Sequence, residues 1–199
     1  MLRPDDSAVR EIETALRIAE RSGDDLAVAF TWMTLGVALV DRHTAAERER
    51  GQKLLAEVSD VFNFLGDLLL IVQVYLARER ARCGDRDEAI PLMRAAVDHL
   101  FREGHLLWWG VAATGVLVET LLDRGAESDV AEAEAAIERL AAAPTDGLGV
   151  RDIWLLRLRA LLARACGDET AYQDYRDRYR DMAKTLGFEG HMKWADAMP

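Results

Sequence analysis

Apolar residues recur along this chain at helical intervals. In one clear case Ala89, Met93, Ala96 and Leu100 follow one another at steps of three and four, the apolar stripe of an amphipathic helix. Gly84, Gly125 and Gly167 each close a long apolar segment, about forty residues apart, and Gly23, Gly66, Gly104, Gly147 and Gly187 form a second, interleaved series. A glycine just past a helix end takes positive φ without strain. Asp follows at Gly23-Asp24, Gly66-Asp67, Gly84-Asp85 and Gly167-Asp168, where a carboxylate can accept from the free N–H groups of the next helix. Asp85 with Glu88 reads as a capping box, and Pro91 falls in the first turn of that helix or at its edge. No run of alternating β-branched residues bounded by turns predicts a strand.

These marks predict helices near 6–22, 24–41, 46–64, 67–83, 86–103, 105–124, 128–142, 149–166, 169–186 and 188–197. The expected fold is all-α: a single domain over 1–199, built as a solenoid of antiparallel helix pairs at 24–64, 67–103, 105–142 and 149–186. An unpaired first helix and a short terminal one flank the pairs. The least regular connections are 43–47 and 144–149, the latter opening with the turn signal Pro144-Thr145-Asp146-Gly147.

The segment from Cys83 to Ile90 resembles the turn into the second helix of a tetratricopeptide repeat, and Ala96 then falls at that family's second small position. Trp32, Leu35, Gly36 and Leu39 are similar to the W-x2-L-G-x2-Y opening of its first helix, with Leu in the place of Tyr. The repeat length of about forty exceeds the family's 34, so a divergent, longer-helix variant is expected, with a HEAT-like stack as the structural alternative. The stretch from Tyr179 to His191 is similar to the C-terminal ends of actinobacterial signalling proteins that join a class III nucleotide cyclase domain, an ATPase domain and a helical-repeat region, some ending in a LuxR-type helix-turn-helix. Helix 6–22 looks like the second member of a pair whose first is absent. Together these imply the regulatory C-terminal part of a larger signalling protein.

Composition narrows the partners. Of 199 residues, 50% are hydrophobic and 30% charged, a balance that supports a packed core. The net charge of −10 disfavours nucleic acid and anionic membranes, which demand clustered cations. The uncharged stretches Leu26–Val40 and Leu106–Val118 are shorter than the ~18 apolar residues of a membrane span. No secretory signal is visible, so a cytoplasmic protein is expected. Cys83 and Cys166 occupy equivalent positions two repeats apart, too far for a disulfide, and read as small buried residues at helix ends.

Catalytic chemistry finds no support. No phosphate-binding loop, G-x-S-x-G elbow, H-E-x-x-H or C-x-x-C occurs. His43, His99, His105 and His191 read as surface or cap histidines, and no metal or cofactor is expected. Acidic pairs at helix starts fit capping.

The tetratricopeptide register implies a groove lined by one face of each first helix. It places Phe30, Met33, Val37 and Asp41 there, then Ile71, Val74, Arg78 and Arg82, then Ala112, Gly115, Glu119 and Asp123, and last Trp154, Arg157, Leu161 and Arg164. Trp108 and Trp109 point about 100° apart on a helix, so one of them, taken as Trp109, is a candidate surface anchor. The arginines have two readings: mutual ion pairs with Glu119 and Asp123 on neighbouring helices, or a fork for an acidic peptide segment. The expected function is a non-catalytic module for protein–protein contact or regulation, with a protein or peptide partner. A homodimer through the incomplete first pair is the oligomeric expectation. The alternative is small-molecule sensing in a pocket of Trp108, Trp109 and Trp154.

Overall fold

The computed structural model describes residues 6–42, 44–61, 67–105, 109–144 and 149–198. Among them lie ten helices and no strand: α1 (Asp6–Ser22), α2 (Asp25–Val40), α3 (Ala45–Val61), α4 (Asp67–Arg82), α5 (Arg86–Arg102), α6 (Val111–Arg124), α7 (Asp129–Ala142), α8 (Gly149–Ala165), α9 (Glu169–Leu186) and α10 (Glu189–Asp196). The pairs α2/α3, α4/α5, α6/α7 and α8/α9 each pack tightly, and α1 and α10 close the two ends against α2 and α9. The first helices also form a row, α2 on α4, α4 on α6 and α6 on α8. The second helices meet one another at most weakly, so the stack curves with the first-helix row inside. This is the expected all-α array of paired helices.

The glycine punctuation is real. All six described glycines of the two series have positive φ. At Gly167 the ending is a Schellman motif, with Asp168 N donating to Ala163 O and Gly167 N to Arg164 O. Asp24 caps α2 through Leu26 N and Ala27 N, and Asp168 caps α9 through Ala171 N. Gly66, Gly147 and the Pro144–Gly147 turn lie outside the described residues or run into them.

Four expectations need correction. Asp85 stands at the N-cap of α5 but its side chain makes no capping hydrogen bond, so the capping box with Glu88 does not form. Because α5 starts at Arg86, directly after the Gly84 turn, Pro91 lies in the second turn and removes a helical hydrogen bond. The helix expected from 105 begins at Val111, behind a π-type turn at Trp109 and Gly110. Cys83 and Cys166 are unbridged, yet both are exposed, since each sits in a turn after its helix has left the core.

Close approach within the first pair rests on small residues. Gly36 on α2 faces Gly51 on α3, and a Cβ on Gly51 would lie 2.8 Å from Gly36 O and 2.9 Å from Val40 N. The conflict is with backbone, which cannot move aside. On the inner row α6 is buried nearly all round, from Val111 to Val118 and again at Thr120 and Leu121. Thr114 and Thr120 satisfy their hydroxyls on Gly110 O and Val116 O, each at 2.7 Å.

Gly51→Ala should therefore destabilise by about 1–3 kcal/mol, the range for overpacking, despite the ~1 kcal/mol by which Ala favours a helix. Gly149→Ala meets only the flexible tip of Leu186 at 3.2 Å and should change stability little. Urea unfolding of both variants checks this, and equal effects would refute the close crossing.

Candidate functional site

Charge on α2, α4 and α6 collects near their C-terminal ends, whereas α8 is charged from Arg151 through Arg157 to Arg164. Arg78 and Arg82 are one turn apart on α4, Glu119 and Asp123 one turn apart on α6, and Arg157, Leu161 and Arg164 share a face of α8. Asp41 is the C-cap of α2. Because the row helices run parallel, these ends meet along one edge and enclose three adjoining hollows. The largest two are about 400 and 470 Å³.

The carboxylates form the floor. Arg78 Nη1 lies 2.6 Å from Asp41 Oδ1, a close ion pair rather than a well-aligned hydrogen bond, with the Asp41 side chain only 7% exposed. Arg157 donates from Nε at 3.0 Å and approaches through Nη2 at 2.9 Å, both toward Glu119 Oε1. Burial pushes the Glu119 carboxyl up, but Arg157 and Arg78 outweigh it and hold the group below the usual carboxylate range. The same logic keeps Arg78 charged: burial opposes its charge, and Asp41 with Glu119 more than compensates. Glu79, 5% exposed, is shared by Arg48 at 3.8 Å and by Arg82, and accepts from Gln52 Nε2 at 3.1 Å. Arg82 Nη1 also donates to Val40 O at 2.9 Å, covering a free carbonyl at the end of α2.

Arg157 continues into the end of the array. Its guanidinium lies 4.4 Å from the Trp194 ring centroid, and its charge acts on the nearby Tyr179 hydroxyl. Tyr179 Oη is 2.7 Å from His191 Nδ1. Trp154 and Trp194 each meet His191 edge-on, and Phe188 flanks it. Burial, with the Arg157 charge adding, pushes His191 down to about 3. His191 is thus a core residue and not a surface or cap histidine. Its neutral ring suits an aromatic box that seats α10.

The structure gathers five of the expected site residues, Arg78, Arg82, Glu119, Arg157 and Arg164, around the hollows. The other four stand elsewhere. Met33 (2% exposed) and Trp154 (3%) are core, the latter resting over Gly115, where a side chain would collide with its ring. Trp109 is half-buried and packs against the core, and Phe30 is 40% exposed away from the three hollows. Trp108 lies outside the described residues. Arg42, Arg48 and Trp194 also line the hollow of about 400 Å³. They come from the α2–α3 turn, the first turn of α3 and α10, none of which a first-helix register samples. Among the described residues no three His, Cys, Asp or Glu side chains are grouped to hold a metal ion.

Two predictions follow from the buried groups. Arg78→Ala strands a buried Asp41 carboxylate and should cost about 3–5 kcal/mol. Adding Asp41→Ala should recover much of that loss in a double-mutant cycle, and strict additivity of the two would disprove the coupling. For His191, the folded value of about 3 lies below the unfolded value of ~6.5. Above pH 6.5 the ring is neutral in both states and contributes no slope. As pH falls from 6.5 toward 3, only the unfolded chain takes up the proton, so stability drops by up to ~1.4 kcal/mol per pH unit. Between pH 6.5 and 5, above the carboxylate range, His191→Phe should flatten this slope in chemical-unfolding series; an unchanged slope would show that His191 is not its source.

Comparison with known proteins finds no protein family, no curated protein and no solved structure that matches this chain.

Proposed function

We propose that this chain is a non-catalytic helical-repeat module for protein–protein contact or regulation, and that its working surface is the hollowed inner edge of the α2, α4, α6 and α8 row. The supporting observation is the charge arrangement of the hollow of about 400 Å³. A chain of net charge −10 presents the guanidiniums of Arg42, Arg48, Arg78, Arg82 and Arg157 there, beside the paired carboxylates of Asp41 and Glu119. Such an edge favours an acidic partner, because Arg offers a planar fork of donors to carboxylates. In line with the likeness of residues 179–191, the module belongs to the C-terminal part of a cyclase/ATPase-type signalling protein and acts in the cytoplasm. No described helix is long and apolar enough to cross a membrane.

Small-molecule sensing is the second reading. The observation in its favour is Trp194 beside Arg157 in a hollow of about 400 Å³, within the usual range for ligand pockets. A change in Trp fluorescence on adding low-molecular-weight lysate fractions would favour it.

The test of the first reading is cross-linked capture from native lysate, identified by mass spectrometry. Arg48→Gln with Arg82→Gln should reduce recovery of specific partners about tenfold, read on protein that circular dichroism shows to be folded, because both arginines also pair with buried Glu79. Arg94→Gln with Arg139→Gln removes the same charge from the ion pairs to Glu132 and Asp98 on α5 and α7, and should leave capture intact. Equal loss in both variants would reject the inner edge as the surface.

A further inference from the structure

The last helix is held differently from the helices before it. α8 packs against α6, α7 and α9, whereas α10 has extensive backbone packing with α9 only. α10 spans eight residues, Glu189–Asp196, and no side chain caps its N-terminus. Isolated helices shorter than ~12–15 residues are marginal in water, so α10 is helical only while it is seated.

A small set of contacts seats it. Tyr179 Oη is 2.7 Å from His191 Nδ1, and Ala195 is fully buried. The Trp154 ring of α8 meets Trp194 and His191 edge-on, with centroids 5.4 and 5.8 Å apart. On the outside, Arg180 Nε donates to Asp196 Oδ1 at 3.2 Å, and the Asp196 side chain is 71% exposed. Gly187, at φ 67°, makes the turn from α9 into α10. Lifting α10 about this turn breaks no contact among α6, α8 and α9, so the rest of the stack does not depend on it.

The seat adjoins the hollow of about 400 Å³, because Trp194 is one of its walls. The Trp194 ring lies 4.4 Å from the Arg157 guanidinium. Arg157 and Arg78 are covered to a similar degree, with side chains 12% and 14% exposed. The cover differs. Arg78 lies between Asp41 at the end of α2 and Tyr75 on its own helix. One face of Arg157 is covered by α10.

The geometry points to α10 as a hinged strap. It opens as a unit about Gly187, and opening uncovers the face of Arg157 that Trp194 occupies in the closed state. The indole is an internal occupant of the hollow, and a ligand that engages this face of Arg157 competes with it. Opening also exposes the rings of Trp154 and Tyr179 to water, so the open state is the minor one until something stabilises it.

Hydrogen exchange read by mass spectrometry, together with phenylglyoxal labelling of arginines, tests this on the full chain. Peptides over 189–198 should exchange about tenfold faster than peptides over α8, because locally held elements open below the global free energy. Asp196→Lys turns the outer pair with Arg180 into a repulsion and leaves Trp194 and Arg157 in place. It should speed α10 exchange and Arg157 labelling together, each about threefold. Arg78 labelling and α4 exchange should stay unchanged, which excludes general loosening of the fold. Arg180→Glu added to Asp196→Lys restores an opposite-charge pair and should return both rates toward wild type. Exchange in α10 no faster than in α8, or Arg157 labelling that rises only in step with Arg78, overturns the strap. The partner surface proposed above is judged separately, by capture with Arg48 and Arg82 changed.

Discussion

Charge inside a stacked row of helices is tolerable only where it is paired, and this constraint shapes the molecule. α6 touches α4 and α8 on the inner side and α5 and α7 on the outer, so most of its surface is out of water. Its first turns hold no charged residue; Glu119, Asp123 and Arg124 come only in its second half. α2 is uncharged from Leu26 to Val40, and α4 carries its described charges from Arg78 onward. Parallel stacking brings these ends together. The same constraint that keeps the middle of the row apolar thus concentrates ionic groups along one edge and demands opposite signs across each helix boundary. Asp41 with Arg78, and Glu119 with Arg157, answer that demand.

Arg157 links this edge to the end of the array. One guanidinium bonds Glu119 on α6, lies against Trp194 on α10 and acts electrostatically on Tyr179 on α9. Tyr179 passes the connection to His191, and the Trp154 ring rests over Gly115. The position of α10 and the geometry of the hollow are therefore not independent. A change in how Arg157 is engaged is felt by the aromatic box through Trp194, because residues in contact couple energetically.

What was legible in the sequence follows from what is local. Gly167 with Asp168 ends one helix and starts the next through contacts spanning a few residues, so spacing alone reveals it. The face shared by Arg78 and Arg82 is equally local, being one helical turn. Trp154 was misplaced for a reason that is not local: a groove register assumes an open neighbour, but Gly115 leaves room for the indole to fold inward. His191 looked like a surface residue because its burial depends on Tyr179 from α9 and Trp154 from α8 closing over α10. Arg42, Arg48 and Trp194 were invisible to a register confined to first helices. Asp85 shows the converse, a correct cap position whose side chain makes no capping bond.

An acidic chain presenting an arginine-rich edge is not a contradiction. At physiological ionic strength the Debye length is about 8 Å, so most of the net charge of −10 is screened from a ligand already at the edge. The field there is set by nearby groups, and low-dielectric walls strengthen it. The outer charges act earlier, slowing the approach of polyanions at low salt. Nucleic acid pays that repulsion along its whole length and finds only a short cationic strip. On the interaction proposed above, a polypeptide that is acidic only locally would expose few charges to the outer field and deliver one to the guanidiniums, so local acidity rather than total charge would decide what this edge accepts.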